Sequence, residues 1–170
     1  MRRLPLFSLV LLAACASDQP RGGTAPSAPS QARIAGAAET VISLTPVEAT
    51  ERAATVLRER GFVISGVDSP GRSVEARSPG ASDPAWATCP SITVRDPFAE
   101  AFRSRTAEAS DTRTTVTVLA ATAPDNATRL VVRARHIGSY INSFTNTPEE
   151  AACRSTGVLE GTILAAIAGG

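Results

Sequence analysis

The sequence predicts one α+β domain, in which a single antiparallel sheet of about five or six strands is packed by two helices. Three observations carry this prediction: a capped helical pattern early in the folded region, a central run of short alternating segments, and apolar residues at helical spacing near the end. The 170 residues are enough for one such domain. Strands and helices do not alternate regularly, so a doubly wound nucleotide-binding fold is not expected.

The first helix has the clearest start signal in the sequence. A strand is predicted over residues 39–44, and Thr45-Pro46-Val47-Glu48 follows it as a capping box with proline at the first helical position. The helix is therefore expected over residues 46–60. Gly61 comes next, where a left-handed C-terminal cap is expected.

Short strands are predicted in the middle of the sequence. Residues 62–67 and 72–77 flank the turn sequence Asp-Ser-Pro-Gly, and residues 88–95 form a weaker strand candidate. Residues 96–111 are expected to form a short helix or an irregular excursion, because two phenylalanines in that stretch are four residues apart.

A second helix is predicted to close the chain. Its start is expected between Thr147 and Ser155, because Thr147-Pro148-Glu149-Glu150 has the capping-box pattern again. Five apolar residues then recur at helical spacing: Val158, Leu159, Ile163, Ala166 and Ile167.

The clearest strand pair covers residues 113–121 and 127–137. Alternation in the second strand places one set of side chains on one face: Leu130, Val132, Ala134 and His136. It places three guanidinium groups on the opposite face: Arg129, Arg133 and Arg135. These arginines are candidate partner-binding residues, because guanidinium groups bind the carboxylates of an acidic partner or lipopolysaccharide phosphates. The alternative is a solvated face whose charge is offset by acids such as Glu75.

The N-terminus has the layout of a secretory signal peptide. Arg2 and Arg3 precede about nine mostly apolar residues, a run too short to span a membrane. The sequence Leu12-Ala13-Ala14-Cys15 resembles the lipobox of bacterial lipoproteins. That resemblance implies that residues 1–14 are removed and that Cys15 carries a diacylglyceryl thioether and an acylated amino group. The alternative is an ordinary secretory signal with a chance cysteine.

The lipobox resemblance also predicts where the protein lies. A second acyl chain makes membrane attachment stable, so the lipid anchor is the expected membrane partner. Ala16 and Ser17 follow Cys15, without the aspartate that favours inner-membrane retention, so the periplasmic face of the outer membrane is expected. Residues 15–38 are interpreted as the lipidated N-terminus and a flexible linker, and residues 39–170 as the folded domain.

Composition limits the classes of partner. The 17 basic residues are all arginine, and removal of residues 1–14 leaves 15 of them against 16 acidic residues. This balance does not provide the broad basic field of a non-specific nucleic-acid binder, so no nucleic-acid partner is expected.

The cysteines and the single histidine set limits on chemistry. With Cys15 assigned to lipid, Cys89 and Cys153 are expected to form a disulfide in an oxidising compartment, and a reactive Cys153 is the alternative. His136 is interpreted as a half-buried, hydrogen-bonded sheet residue, because zinc sites and catalytic triads need further partners. No catalytic residue, metal site or cofactor is predicted, and a lysine-dependent phosphate loop is impossible in a chain without lysine.

The lipobox, the linker and the order of strands and helices together resemble the BamC-type accessory lipoproteins of outer-membrane assembly, whose domains have a helix-grip form. The resemblance covers the layout of residues 39–168, which has room for one such domain where those proteins carry two, and it transfers no binding residue. The leading hypothesis is a non-enzymatic adaptor that binds an envelope protein. The alternatives are a carrier of a small apolar or lipid ligand between helix and sheet layers, and an enzyme using His136 with Ser139 or Ser143.

Overall fold

The computed structural model describes residues 36–68, 72–99 and 103–170. In these ranges the strands are β1 (Ala37–Ile42), β2 (Val63–Asp68), β3 (Ser73–Arg77), β4 (Ala87–Thr88), β5 (Ile92–Arg95), β6 (Ser104–Ala107), β7 (Asp111–Thr122), β8 (Thr128–Asn142) and β9 (Thr147–Ser155). The α-helices are α1 (Pro46–Glu59) and α2 (Val158–Ala168). Within the described ranges, none of the helices has the length and apolar character needed to cross a membrane.

Seven strands form one antiparallel sheet in the order β2-β3-β7-β8-β9-β4, with β1 added against β8. The 15-residue strand β8 pairs with β7 along one edge, and along its other edge it pairs first with β1 and then with β9. Strands β5 and β6 form a separate hairpin. The predicted α+β class, with an antiparallel sheet packed by two helices, is confirmed.

The core lies between the two helices and one face of the sheet. Helix α1 packs against β7, α2 packs against β8 and β1, and the helices contact each other. The sheet contributes buried side chains at alternate positions: Val74, Ala76, Val116, Val118, Leu130 and Val132. The helices contribute Ala49, Ala53, Leu57, Ile163 and Ile167. Burial of each large aliphatic side chain contributes roughly 1.5–3 kcal/mol.

The predicted start of α1 is confirmed in detail. The Glu48 backbone N–H donates to Thr45 Oγ1 at 3.3 Å, and the Thr45 backbone N–H donates to Glu48 Oε2 at 2.9 Å. Such an N-cap stabilises a helix by about 1 kcal/mol. Gly61 has φ 81°, a left-handed conformation that suits glycine after the helix end.

The first strand begins two residues earlier than predicted, at Ala37 instead of Glu39. Ala38 is buried in the core and pairs with Val132 of β8. Composition alone does not show that the strand starts at Ala37, because alanine occurs both in linkers and in cores built from small residues. Alanine at positions 37 and 38 therefore belongs to the sheet and not to the preceding segment.

Residues 88–95 are not one strand, because β4 ends at Thr88 and β5 begins at Ile92, with Pro90 between them. The expectation of a helix or irregular excursion over residues 96–111 is wrong in the described part. Strand β6 pairs with β5 there, and the Asp96 N–H donates to the Arg103 carbonyl at 3.0 Å to close the hairpin.

The predicted start of the last helix between Thr147 and Ser155 is also wrong. That segment is β9, and α2 begins at Val158 after Gly157, whose φ is 80°. The capping-box pattern does not start a helix because β8 continues to Asn142 and offers an unpaired edge, on which β9 forms a ladder. Pro148 is tolerated there because β4 pairs only with the last two residues of β9 and leaves the rest of its outer edge open.

Candidate functional site

The sheet face opposite the helices carries a second, chemically different surface. Because β8 alternates, the side chains next to its buried residues point away from α1 and α2. We define the open face by the outward side chains of β3, β7 and β8: Glu75, Arg77, Arg113, Thr115, Thr117, Leu119, Arg129, Val131, Arg133, Arg135 and Ile137. Among the described residues, no helix packs on this face.

The three arginines singled out from the sequence all lie on the open face and are exposed, as predicted. Arg129 is neutralised by Glu39 of β1, with Nε–Oε1 at 2.5 Å and Nη2–Oε2 at 3.0 Å. This hydrogen bonding lowers the pKa of Glu39. Arg133 and Arg135 make no side-chain hydrogen bond or ion pair with any residue in the described part of the chain. Two of the three guanidinium groups are therefore available to a partner.

Strand register brings two further arginines to Arg135. Thr115 of β7 pairs with Arg77 of β3 on one side and with Arg135 of β8 on the other, and Arg113 lies two residues along β7. These side chains surround a cleft of about 300 Å³. We call it the arginine cleft; it is lined by Arg77, Ser78, Arg113, Thr114, Thr115, Arg135, Ile137 and Glu150. Arg113 forms an ion pair with Glu150, and Arg77 forms one with Glu75 at 3.3 Å.

Arg77 and Arg113 are not among the site residues predicted from the sequence. The alternation around Val116 already places Arg113 on the face opposite the core. Arg77 is likewise out of phase with the buried Val74 and Ala76, because it lies two residues from the outward Glu75. What the sequence lacks is the pairing register, which alone shows that both arginines lie beside Arg135. Alternation along each predicted strand indicates that both arginines point outward, but it does not group them.

The structure joins Cys89 and Cys153, whose Sγ atoms are 1.99 Å apart, as predicted. Cys153 lies in β9, and Cys89 directly follows β4, so the bond extends the short β4–β9 pairing by one position. For a sequence separation of 64 residues, the chain-entropy model gives a stabilisation of about 4 kcal/mol. Neither sulfur is a free thiol, which removes the reactive Cys153 alternative in this state. Cys15, the predicted lipidation site, lies outside the described residues.

His136 is more deeply buried than predicted, with 1% of its surface exposed. Its Nδ1 atom lies 2.7 Å from Thr114 Oγ1, and the Ser82 hydroxyl donates to the same Thr114 oxygen at 2.6 Å. The Thr114 hydroxyl has one proton and a second acceptor lone pair, so it is able either to donate to Nδ1 or to accept from an Nδ1–H.

A buried carboxylate in α2 acts electrostatically on this histidine. Glu160 is fully buried, and its Oε1 accepts a hydrogen bond from Ser155 at 2.6 Å. Glu160 Oε2 and His136 Nε2 are both buried without a hydrogen-bond partner among the described residues. Burial lowers the pKa of His136, and the negative charge of Glu160 partly opposes that shift. Thr114, His136 and Glu160 thus form a polar cluster inside the domain.

The proposed enzyme alternative needs an accessible nucleophile beside His136. Ser139 is an odd number of residues away on β8 and points to the opposite face, and Ser143 lies beyond the end of that strand. Thr114 does contact the ring, but 2% of its surface is exposed, so a substrate cannot reach its hydroxyl in this conformation. Within the described ranges, no three His, Cys, Asp or Glu side chains group as metal ligands.

The stability of the domain is expected to depend on pH through His136. Because the folded state has the lower pKa, the unfolded state, with a histidine pKa of about 6.5, binds protons more readily as pH falls. Stability should therefore be full above pH of about 6.5 and decrease below it. Urea unfolding of wild type and His136→Gln between about pH 7.5 and 5.5 measures this, because most carboxylates stay ionised there. An equal pH slope in both proteins would contradict the assignment.

No protein-family model matches the chain, and no curated protein matches it. The layout resemblance to BamC-type lipoproteins therefore stays a prediction from the sequence. The features of the described structure that bear on function are the open face, the arginine cleft and the buried Thr114–His136–Glu160 cluster.

Proposed function

We propose that this protein is a non-enzymatic, lipid-anchored adaptor on the periplasmic face of the outer membrane, and that its open face binds an acidic surface of an envelope protein. The observation that carries the proposal is the pair Arg133 and Arg135, exposed and without a partner in the described part of the chain. Arginine is enriched at protein interfaces, where its planar group binds carboxylates through two hydrogen bonds.

The remaining residues of the open face suit an interface. An antiparallel sheet often has one solvated face, so exposure alone does not indicate binding. Here, however, apolar side chains stand between the arginines: Leu119, Val131 and Ile137. An apolar centre with charged and hydroxyl groups around it is typical of a protein-binding surface. Thr115 and Thr117 add hydroxyl groups at neighbouring positions of β7.

The proposed anchor and the open face are compatible. The described chain enters the sheet at Ala37 of β1, and β1 pairs with β8 along one edge. A lipid on Cys15 would thus be connected to the sheet edge through the residues before Gly36, without using any side chain of the open face. The carrier alternative has less support, because the helix–sheet interface is filled by buried aliphatic side chains.

The anchor is tested by the intact mass of the protein purified from its own envelope. We expect a chain that begins at Cys15 and carries the added mass of a diacylglyceryl group and an acyl chain. Cys15→Ala should lack this mass and should no longer sediment with membranes. An unmodified wild-type chain that starts elsewhere would contradict the lipoprotein assignment and leave a periplasmic protein without an anchor.

The adaptor function is tested by site-specific photocrosslinking in intact envelopes. A photoreactive residue at Thr117 or Val131, on the open face, should give one discrete protein adduct, whereas the same residue at Thr55, on the solvent side of α1, should not. The double charge reversal Arg133→Glu/Arg135→Glu should abolish the adduct, because it places two carboxylates against an acidic partner.

The matched control is Arg58→Glu/Arg95→Glu, which reverses two exposed arginines away from the open face. It should leave the adduct at its wild-type yield. Equal loss in both double variants would show that only overall charge matters, and equal crosslinking from Thr55 and Thr117 would contradict a specific surface. Either result would reject the proposed adaptor face.

A further inference from the structure

The arginine cleft differs from the rest of the open face because three arginines from three adjacent strands line one space. Strands are about 4.8 Å apart, so the Cα atoms of Arg77 and Arg135, on either side of Thr115, lie about 10 Å apart. Arg113 lies about 7 Å along β7 from Thr115. Arginine side chains of ordinary length can therefore converge above Thr115 from three directions.

We propose that the arginine cleft is a binding site for a phosphate group, either free inorganic phosphate or a phosphomonoester carried by a lipid headgroup. A carboxylate has two oxygens and is satisfied by one planar guanidinium group. A phosphate monoester presents three terminal oxygens in a tetrahedral arrangement, which matches donors placed on three separate strands. This inference does not depend on the presence of a protein partner.

The charges around the cleft favour an anion. Three arginines line it against one carboxylate, Glu150, and with Glu75, the ion-pair partner of Arg77, the net charge is about +1. Arg135 has no side-chain partner in the described residues. The ion pairs of Arg77 and Arg113 are exposed, and exposed pairs are weak enough for a more highly charged ligand to replace them.

The cleft also has a link to the interior through Ser78. Ser78 lines the cleft, its Oγ accepts from the Thr114 N–H at 3.1 Å, and it lies 3.3 Å from Ser82 Oγ. Ser82 donates to Thr114, which contacts His136. A phosphate above Ser78 is thus connected to His136 by a short series of hydroxyl groups. Because His136 is the only histidine of the chain, its ring resonances are assigned without ambiguity and are expected to shift when a ligand alters this series of hydroxyl groups.

The test is titration of the full mature chain with inorganic phosphate, at constant ionic strength with chloride, followed by calorimetry and by the NMR signal of His136. Arg135→Ala should weaken phosphate binding about tenfold, because a charge-assisted hydrogen bond is lost. Glu150→Gln should strengthen binding about threefold, because Arg113 loses its competing carboxylate. A gain in affinity cannot result from misfolding. Arg58→Ala, on α1, is the matched control and should bind like wild type.

Soluble probes separate the two sources of phosphate. Glycerol 3-phosphate has the headgroup chemistry of a phosphomonoester lipid, and tighter binding of it than of inorganic phosphate would assign the lipid source. Tighter binding of inorganic phosphate would assign the free anion. The proposal is overturned if chloride displaces phosphate at equal ionic strength, if Arg135→Ala and Arg58→Ala weaken binding equally, or if saturation leaves the His136 signal unchanged. Crosslinking from Thr117 would be unaffected by these outcomes, so the two proposals fail separately.

Discussion

The alternation of side chains along β8 is the constraint on which the other features depend. This strand holds β7 on one edge and both β1 and β9 on the other, so a shift of one residue in its register would exchange the two faces of the sheet. Leu130 and Val132 on one face require coverage by helices. The same alternation obliges Arg133 and Arg135 to point away from that core.

The C-terminal half of β8, from His136 onwards, is packed through polar contacts, whereas the N-terminal half around Leu130 is packed through aliphatic ones. Near Leu130 the contacts are aliphatic, whereas His136, Tyr140 and Asn142 are buried polar groups. The Tyr140 hydroxyl donates to the Pro90 carbonyl at 2.6 Å, and Asn142 donates to the Arg95 carbonyl at 3.3 Å. These bonds attach the segment between β4 and β6 to the sheet, and the Cys89 disulfide secures it to β9. The polar half is thus held by a covalent bond as well as by hydrogen bonds.

Local signals predicted some elements well, because the interactions that form them are local. Thr45 and Glu48 specify the start of α1 within a single turn, and alternation specifies the two faces of β7 and β8. The segment at Thr147 has an equally good capping-box pattern but forms β9, because an unpaired edge of β8 is available 5–11 residues upstream in sequence. A single sequence does not show which edge is free.

The candidate site could be predicted only in part, because a single sequence does not show which strands pair. Alternation alone identified the outward arginines of β8, and cysteine counting identified the pair Cys89 and Cys153. The grouping of Arg77 and Arg113 with Arg135 depends on the register of two strand pairs, which join Arg77 to Thr115 and Thr115 to Arg135. The carboxylate whose charge acts on His136, Glu160, comes from the later helix α2. Long-range packing determines these features, and no local pattern encodes them.

The central claim is that the open face, and not the helical face, is the surface that the protein uses in the envelope. Arginine-specific dicarbonyl labelling, read by mass spectrometry, measures this directly in a chain whose basic residues are all arginine. Arg133 and Arg135 should be labelled several-fold less in intact envelopes than in the purified protein, whereas Arg58 on α1 should be labelled equally in both. Equal labelling of Arg133 and Arg135 in the two samples would contradict the account, because it would mean that nothing covers the open face where the protein works.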